Sequence, residues 1–438
     1  MSRRGLERPA TRRARGRRAA GAWAFAVASV AAGAGAATPV ASPAPVTVRA
    51  ELLVPLQAVR QALIDQHFDE ALRQLAATDG MAAKTADEVF LIEQMRSLAA
   101  GGAGDPPAQL RAIEAALATG KAAAAQRLAL TADAARVAFA LKDHEATVRW
   151  TRRYLEAGGN DGIAHLRVVQ ALHLLGRHED AAQALAPLAA MERDGRWKVI
   201  EPQLRLQLSI QSRLGDEAGR LETLTALVAS FPQPSYWAEL LLRTAGQPGF
   251  DDGLRLDMLR LGATAGAWTE AGPWVELAER ALYDGFPTEA HRALEAAQAA
   301  GLLGDGQREL MARAARLAAA ERRPDQPLEA PATAGKSGQA LFNAGLDLFG
   351  AGRRDEGLAL MTLGLERGIG AGAPKARLRL AACLVQSGQL ERARPMLEAL
   401  EREQGPRGLP SLARFWQLLA PPPRGDPGPQ AGPGGRTS

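Results

Sequence analysis

Cysteine, aromatic residues and strand-like segments are all scarce in this chain. Cys383 is the single cysteine of 438 residues, so no internal disulfide can staple the fold. It sits in the apolar run Leu380-Ala381-Ala382-Cys383-Leu384-Val385, which reads as a buried structural thiol rather than a nucleophile. Aromatics make up 5% of the chain against 47% hydrophobic residues, so Ala and Leu must carry the core. No run of Val, Ile, Thr, Tyr and Phe alternates with polar residues, which excludes an all-β fold. Long Ala/Leu/Glu/Arg stretches lose little rotamer freedom in a helix and favour it.

The net charge of +5 is concentrated at one end. Eight arginines and Glu7 fall within the first 18 residues, which leaves the remainder with a small net negative charge. A general basic surface for nucleic acid is therefore not expected. Residues 19–36 carry no charge and end in Ala34-Gly35-Ala36. A basic start, a short apolar stretch and a small-residue site have the layout of an export signal. The stretch is short and Ala-rich beside the roughly 20 strongly apolar residues that a membrane span needs. The expectation is cleavage and a periplasmic or otherwise exported chain, with no span after signal removal. An uncleaved inner-membrane anchor and a basic arm are the alternatives.

Internal repetition organises the rest. In residues 271–300, the segment Trp274 to Leu282 reads as one helix, Asp284-Gly285 as a turn, and Glu289 to Ala297 as a second helix. Small residues at Ala278 and Ala290 let two antiparallel helices approach, while Leu277 and Leu294 fill the groove to the next pair. The phrase returns as Gly176, Ala181 and Leu185, as Gly352, Gly357 and Met361, and as Gly388, Ala393 and Leu397. Weaker copies centre on Ala71 and Ala146, and the intermediate units are degenerate, one of them broken between Gly101 and Pro107. The intervals fit multiples of about 34 residues, the period of tetratricopeptide repeats. The fold expected is all-α, a right-handed α-α superhelix (a TPR-like solenoid) of roughly nine helical pairs.

Composition marks the boundaries: export signal 1–36, linker 37–47, a first helical array 48–319, a Pro-rich linker 320–337, a C-terminal pair of repeats 338–420, and a Pro/Gly-rich tail 421–438 expected to be disordered. Residues 235–305 and 338–419 resemble a group of exported proteobacterial tetratricopeptide-repeat proteins. The phrases that carry the resemblance are Ser235-Tyr236-Trp237, Asp284-Gly285-Phe286-Pro287-Thr288-Glu289-Ala290 and Leu412-Ala413-Arg414-Phe415-Trp416-Gln417-Leu418-Leu419. The resemblance implies a repeat scaffold without a defined activity, and brings no catalytic residues. Some members of the group look like accessory parts of envelope energy-coupling systems.

Residues that invite a chemical reading have plainer ones. Ala330 to Ser337 fits a relaxed phosphate-loop pattern but lacks the buried strand such a loop follows. Gly350-Ala351-Gly352 reads as a repeat turn rather than a dinucleotide loop. The six histidines include His144 and His178 at equivalent turn positions, and His165 and His173 two helical turns apart on one face. A metal site needs a further ligand, so neither metal nor cofactor is expected. Carboxylate pairs such as Asp251-Asp252 suit helix starts, and the chain is not expected to be an enzyme. Tyr236, Trp237, Phe250, Trp268, Trp274 and Tyr283 cluster, either as core or as an aromatic-lined groove. The first helix of each pair should line the concave side. Projecting outward from the packing residues gives a partner-binding groove of Gln170, His173, Arg205, Ser209, Arg213, Glu279 and Tyr283. Arg205 and Arg213 can offer two charges to an acidic group. The expected function is a scaffold or adaptor for a protein or peptide partner in the bacterial envelope. The alternative is an enzyme or ligand-binding protein with its site in the aromatic-rich middle.

Overall fold

The computed structural model describes residues 48–321 and 337–420. The leader, most of the linker 320–337 with its phosphate-loop-like phrase, and the tail 421–438 lie outside them. Every regular element among the described residues is helical. Helical hairpins follow one another: α1 Ala50–Ile64 with α2 Phe68–Asp79, α3 Ala86–Ala103 with α4 Pro106–Ala118, and α5 Ala124–Ala140 with α6 His144–Glu156. Next come α7 Gly162–Leu174 with α8 His178–Gln183 and α9 Ala186–Arg193, then α10 Glu201–Leu214 with α11 Glu217–Ser230. They continue with α12 Pro234–Ala245 and α13 Arg255–Thr264, then α14 Ala271–Tyr283 and α15 Pro287–Ala299, followed by α16 Arg308–Glu321. Beyond the linker lie α17 Gly338–Gly350 with α18 Arg354–Arg367, α19 Ala373–Gln386 with α20 Leu390–Arg402, and α21 Leu409–Leu419. The all-α repeat architecture expected from the sequence is the one observed, with nine helical pairs among the described residues.

One turn geometry closes eight of the hairpins, those at Gly104 and Gly215 included, and six of the eight also set a small residue at the helix crossing. A residue in the left-handed conformation ends the first helix, and the next N–H donates to the carbonyl five residues back. The left-handed residue is Gly176 (φ 77), Gly285 (φ 84), Gly352 (φ 92) or Gly388 (φ 73) in four of these six. Gln66 (φ 59) and Lys142 (φ 60) take it in the other two. The closing bonds of the six run from His67, Asp143, Arg177, Phe286, Arg353 and Gln389 to Ala62, Ala138, Leu172, Ala281, Leu348 and Leu384. Their lengths lie between 2.7 Å and 3.1 Å. This is the Schellman arrangement, which satisfies carbonyls that the helix end would otherwise leave unpaired.

Five residues beyond the left-handed position, a small side chain faces the first helix. Ala71, Ala181 and Ala290 are fully buried there, and Ala393 nearly so. In the hairpin of α5 and α6 the equivalent residue is Thr147, not Ala146, because Lys142 rather than a glycine makes the turn. Thr147 is fully buried, and its hydroxyl donates to the Asp143 carbonyl at 2.6 Å. Between α10 and α11 the position is held by Arg220, whose guanidinium pairs with Glu217 and Glu239. The tightest hairpin joins α17 and α18. A Cβ added at Gly345 would lie 2.7 Å from the Gly357 carbonyl oxygen, and one at Gly357 would lie 2.6 Å from that of Gly345.

Two interruptions differ from expectation. The break between Gly101 and Pro107 shrinks to Gly104 and Asp105: α3 runs through Gly101 and Gly102, and a Cβ on Gly102 would strike the Phe68 ring. The second helix after Gly176 is split into α8 and α9, because Pro187 near the start of α9 has no N–H to continue the ladder.

Small clusters of core residues link neighbouring hairpins as far as α10. Beyond it, one continuous core runs from Leu204 to Trp416 and takes in helices from both sides of the linker. Asp257 on α13, its side chain 4% exposed, accepts from Arg379 on α19 at 2.8 Å and from Arg260 at 3.0 Å. Arg260 also reaches Glu289 on α15 at 2.6 Å. Lys375 pairs with Asp251 at 2.9 Å, and the Asp251 N–H donates to the Arg407 carbonyl. The C-terminal helices are thus packed on the middle of the array. Two cations and two carboxylates balance at a site where one left alone would cost about 3–5 kcal/mol. Cys383 is buried beside them, and burial pushes its thiol up to about 12, the structural role expected.

Gly357→Ala reverses the usual helix preference. Alanine normally gains about 1 kcal/mol over glycine in a helix, but here the methyl meets backbone, and a loss of about 1–3 kcal/mol is expected. Gly272→Ala, with open space around it, is the control that should not lose stability; urea unfolding followed by far-UV circular dichroism measures both.

Glu88 gives a pH prediction. Its side chain is fully buried, accepts from the Arg49 guanidinium at 3.0 Å and forms a capping box with Thr85. The bond from Arg49, then the Thr85 and Arg49 backbone N–H groups, hold its carboxyl down to about 2 against an ordinary 4.5. Stabilisation from this depressed group is complete above the unfolded value and is lost as pH falls from 4.5 towards about 2. Glu88→Gln should lower stability near neutrality, and its deficit should narrow through that window.

Candidate partner-binding face

The repeated turn gives each first helix a common register. Counting back from the left-handed glycine, the residues six and two before it are Gln170 and Leu174 on α7, Ser209 and Arg213 on α10, and Glu279 and Tyr283 on α14. Each is exposed except Ser209, which is half-buried. Five of the seven residues projected from the sequence therefore fall in two rows, one helical turn apart, on the uncovered side of the first helices. His173 and Arg205 flank these rows.

The structure joins part of this set. The His173 Nε2 lies 3.1 Å from the Ser209 hydroxyl, across the seam between α7 and α10. Burial, then the charges of His178 and Arg213, push the His173 imidazole below its ordinary value. Arg205 is exposed, and its charge reaches Tyr236, whose hydroxyl donates to Glu201 at 2.6 Å. Arg205 and Arg213 have no hydrogen bond or ion pair with any described residue. Nearby, Arg167 is half-buried and also without such a partner; burial pushes its guanidinium down. Glu279 and Tyr283 lie on α14, with no described interaction tying them to α7 or α10. Tyr283 is 91% exposed.

The aromatic cluster is core, not a groove. Trp237 and Trp268 are buried, and Tyr236, Phe250 and Trp274 pack partly buried against the same core. The Trp268 indole N–H donates to the Leu259 carbonyl at 2.9 Å, and that of Trp274 to the Trp268 carbonyl at 3.0 Å. Of the six, Tyr283 alone faces solvent. A cavity of about 280 Å³ opens elsewhere, between α19, α20 and α21, lined by Val385, Leu397, Gln417 and Leu418 among others.

Sequence reasoning missed the partner of His173. His178, the first residue of α8, places its Nδ1 3.2 Å from the Nδ1 of His173, with ring centroids 4.9 Å apart. A signal for it exists. In this turn the residue three before the left-handed position meets the residue two after it. Phe349 and Arg354 meet the same way around Gly352, with the guanidinium 5.8 Å from the ring centroid. No group of three His, Cys, Asp or Glu side chains suited to a metal ion occurs among the described residues. The histidine pair makes a direct nitrogen-to-nitrogen contact. Asp143 caps α6 through the Ala146 N–H, and Asp180 pairs with Arg177.

No protein-family model matches the sequence, and no curated protein matches it. Solved structures similar to it include the pentatricopeptide repeat protein PPR10 from maize, at 16% identity and a TM-score of 0.32 over 84% of this chain and 49% of that one. Another is Naa15/Naa10 bound to HypK-THB, at 11% identity and a TM-score of 0.24 over 81% and 69%. The chain spans about half the length of the maize protein, and both likenesses are too loose to bring a function with them.

Arg205 and Arg213 carry nothing in the fold, so Arg205→Ala and Arg213→Ala should each change unfolding free energy by less than about 0.5 kcal/mol. Trp268→Ala, which empties a core site, should cost about 3–5 kcal/mol. Denaturant midpoints at equal slope separate the two classes.

Proposed function

We propose that this chain is a non-catalytic scaffold or adaptor of the bacterial cell envelope that holds a protein partner on the exposed side of its first helices. One observation carries the reading: Arg205 and Arg213, two helical turns apart on α10, are both exposed, and neither has a hydrogen bond or ion pair with a described residue. Surface guanidinium groups left without a carboxylate are free to take one from a partner, in the planar two-bond geometry that arginine favours. Gln170, His173 and Ser209 beside them add donors and acceptors for an extended backbone. Glu279 and Tyr283, displaced along the array, form a second contact point for a partner long enough to reach both.

The envelope assignment rests on the leader, with its arginine-rich start, uncharged stretch and small-residue site. No described helix is long and apolar enough to cross a membrane. The scaffold reading needs no metal or cofactor and involves no nucleic acid.

Affinity purification of the full-length protein from envelope extract should recover one specific protein. That protein, purified, should bind directly, and Arg205→Glu with Arg213→Glu should weaken it at least about tenfold. Tyr283→Ala should weaken it less. Unchanged affinity in the double variant would remove the face from the proposal.

A further inference from the structure

The seam between α7 and α10 contains a chain of polar groups that the fold does not require. His178 touches His173 through their Nδ1 atoms, and the other nitrogen of His173 meets the Ser209 hydroxyl. Elsewhere the two positions around this turn hold apolar residues, such as Leu63 and Phe68 or Val385 and Leu390. Two imidazoles there introduce a constraint that apolar residues lack. In an Nδ1–Nδ1 contact of 3.2 Å, one nitrogen must donate and the other accept. The contact therefore holds one proton between the rings. With both rings neutral, two tautomer pairs satisfy the chain, because the Ser209 hydroxyl can either accept from His173 or donate to it. One added proton is still accommodated, since the charged ring donates both to its neighbour and to Ser209. A second leaves two N–H groups pointing at each other, and the contact must open.

We propose that the His178–His173–Ser209 chain is a proton-operated switch on the partner-binding face, closed near neutral pH and opened by acid. It rests on the reading of that face given above, because His173, Ser209 and Arg213 all belong to it. The surroundings bias it towards the closed form. Both rings are half-buried, and the charges felt at His173 are those of His178 and Arg213, each of which opposes its protonation. At the α8 end, Arg177 is held by Asp180 at 2.6 Å, and Glu179 is exposed. Acid therefore adds positive charge next to Arg213 and separates the rings that pin the turn to the next repeat. The face gains charge and loses rigidity together. The folded chain favours neutral His173 relative to an ordinary 6.5. Its contribution to stability is thus complete above 6.5 and falls away as pH drops below it.

The test needs no partner. Imidazole NMR of the full chain, titrated between about pH 8 and pH 5 and assigned by single substitutions, reads each histidine separately. Coupling predicts that the His173 signal moves in two steps, because it feels the charge on the neighbouring ring. In His178→Gln, His173 should titrate in one step at higher pH. In the same variant, the loss of urea resistance between about pH 7 and pH 5 should shrink. Ser209→Ala, which leaves the ring pair in place, should preserve the two steps. A single-step His173 curve in the unaltered chain, or a His173 midpoint unmoved by His178→Gln, would overturn the switch. Such an outcome would leave partner binding at Arg205 and Arg213 standing, and failure to find a partner would leave the titration result standing.

Discussion

The left-handed residue at each hairpin turn sets the geometry of everything that follows it. It reverses the chain within three residues, and the N–H after it closes onto a carbonyl one turn back. This fixes where the second helix begins and which of its side chains faces the first. In six of the hairpins the side chain five residues on is small, because the two backbones have already been brought together. In the hairpin of α17 and α18 even a methyl group is too much. From this constraint come the register of the first helices, the rows that face outward, and the meeting of residues three before and two after the turn. The candidate face and the histidine pair are both consequences of that register.

Much of this was legible where glycine makes the turn. Gly176, Gly285, Gly352 and Gly388 marked their hairpins, and the small residues five positions on were found with them. Where Lys142 makes the turn, the signal was lost and the register slipped by one residue, from Thr147 to Ala146. A lysine in the left-handed conformation is held there by the packing of the hairpin, and nothing in its own chemistry announces it. Pro187 was visible as a residue, but its effect depended on lying within a second helix whose length the repeat pattern suggested would be uninterrupted.

The C-terminal helices show the other limit of sequence reading. Arg379 and Asp257 are 122 residues apart, and no periodicity connects them. Each alone reads as a surface charge on an amphipathic helix. Together with Arg260 and Glu289 they form a mostly buried cluster whose four charges cancel, beside a core that runs from Leu204 to Trp416. Except for Tyr283, the aromatic residues of the middle repeats belong to that same core, which accounts for their clustering without a groove. The face itself was readable as a set of outward positions, since outward positions follow from helical period alone. Which of them come together was not readable, because the answer lies in the spacing between neighbouring hairpins.

Six of the hairpin turns, different in sequence, share one hydrogen-bonded geometry that sets a small residue at the helix crossing. Hydrogen exchange of the backbone amides of His67, Asp143, Arg177, Phe286, Arg353 and Gln389 tests it directly. Shared Schellman closure predicts that all six are protected well above the amides of neighbouring exposed loop residues, including the two whose turns lack glycine. Exchange of the His67 and Asp143 amides at the rate of an open chain would contradict it.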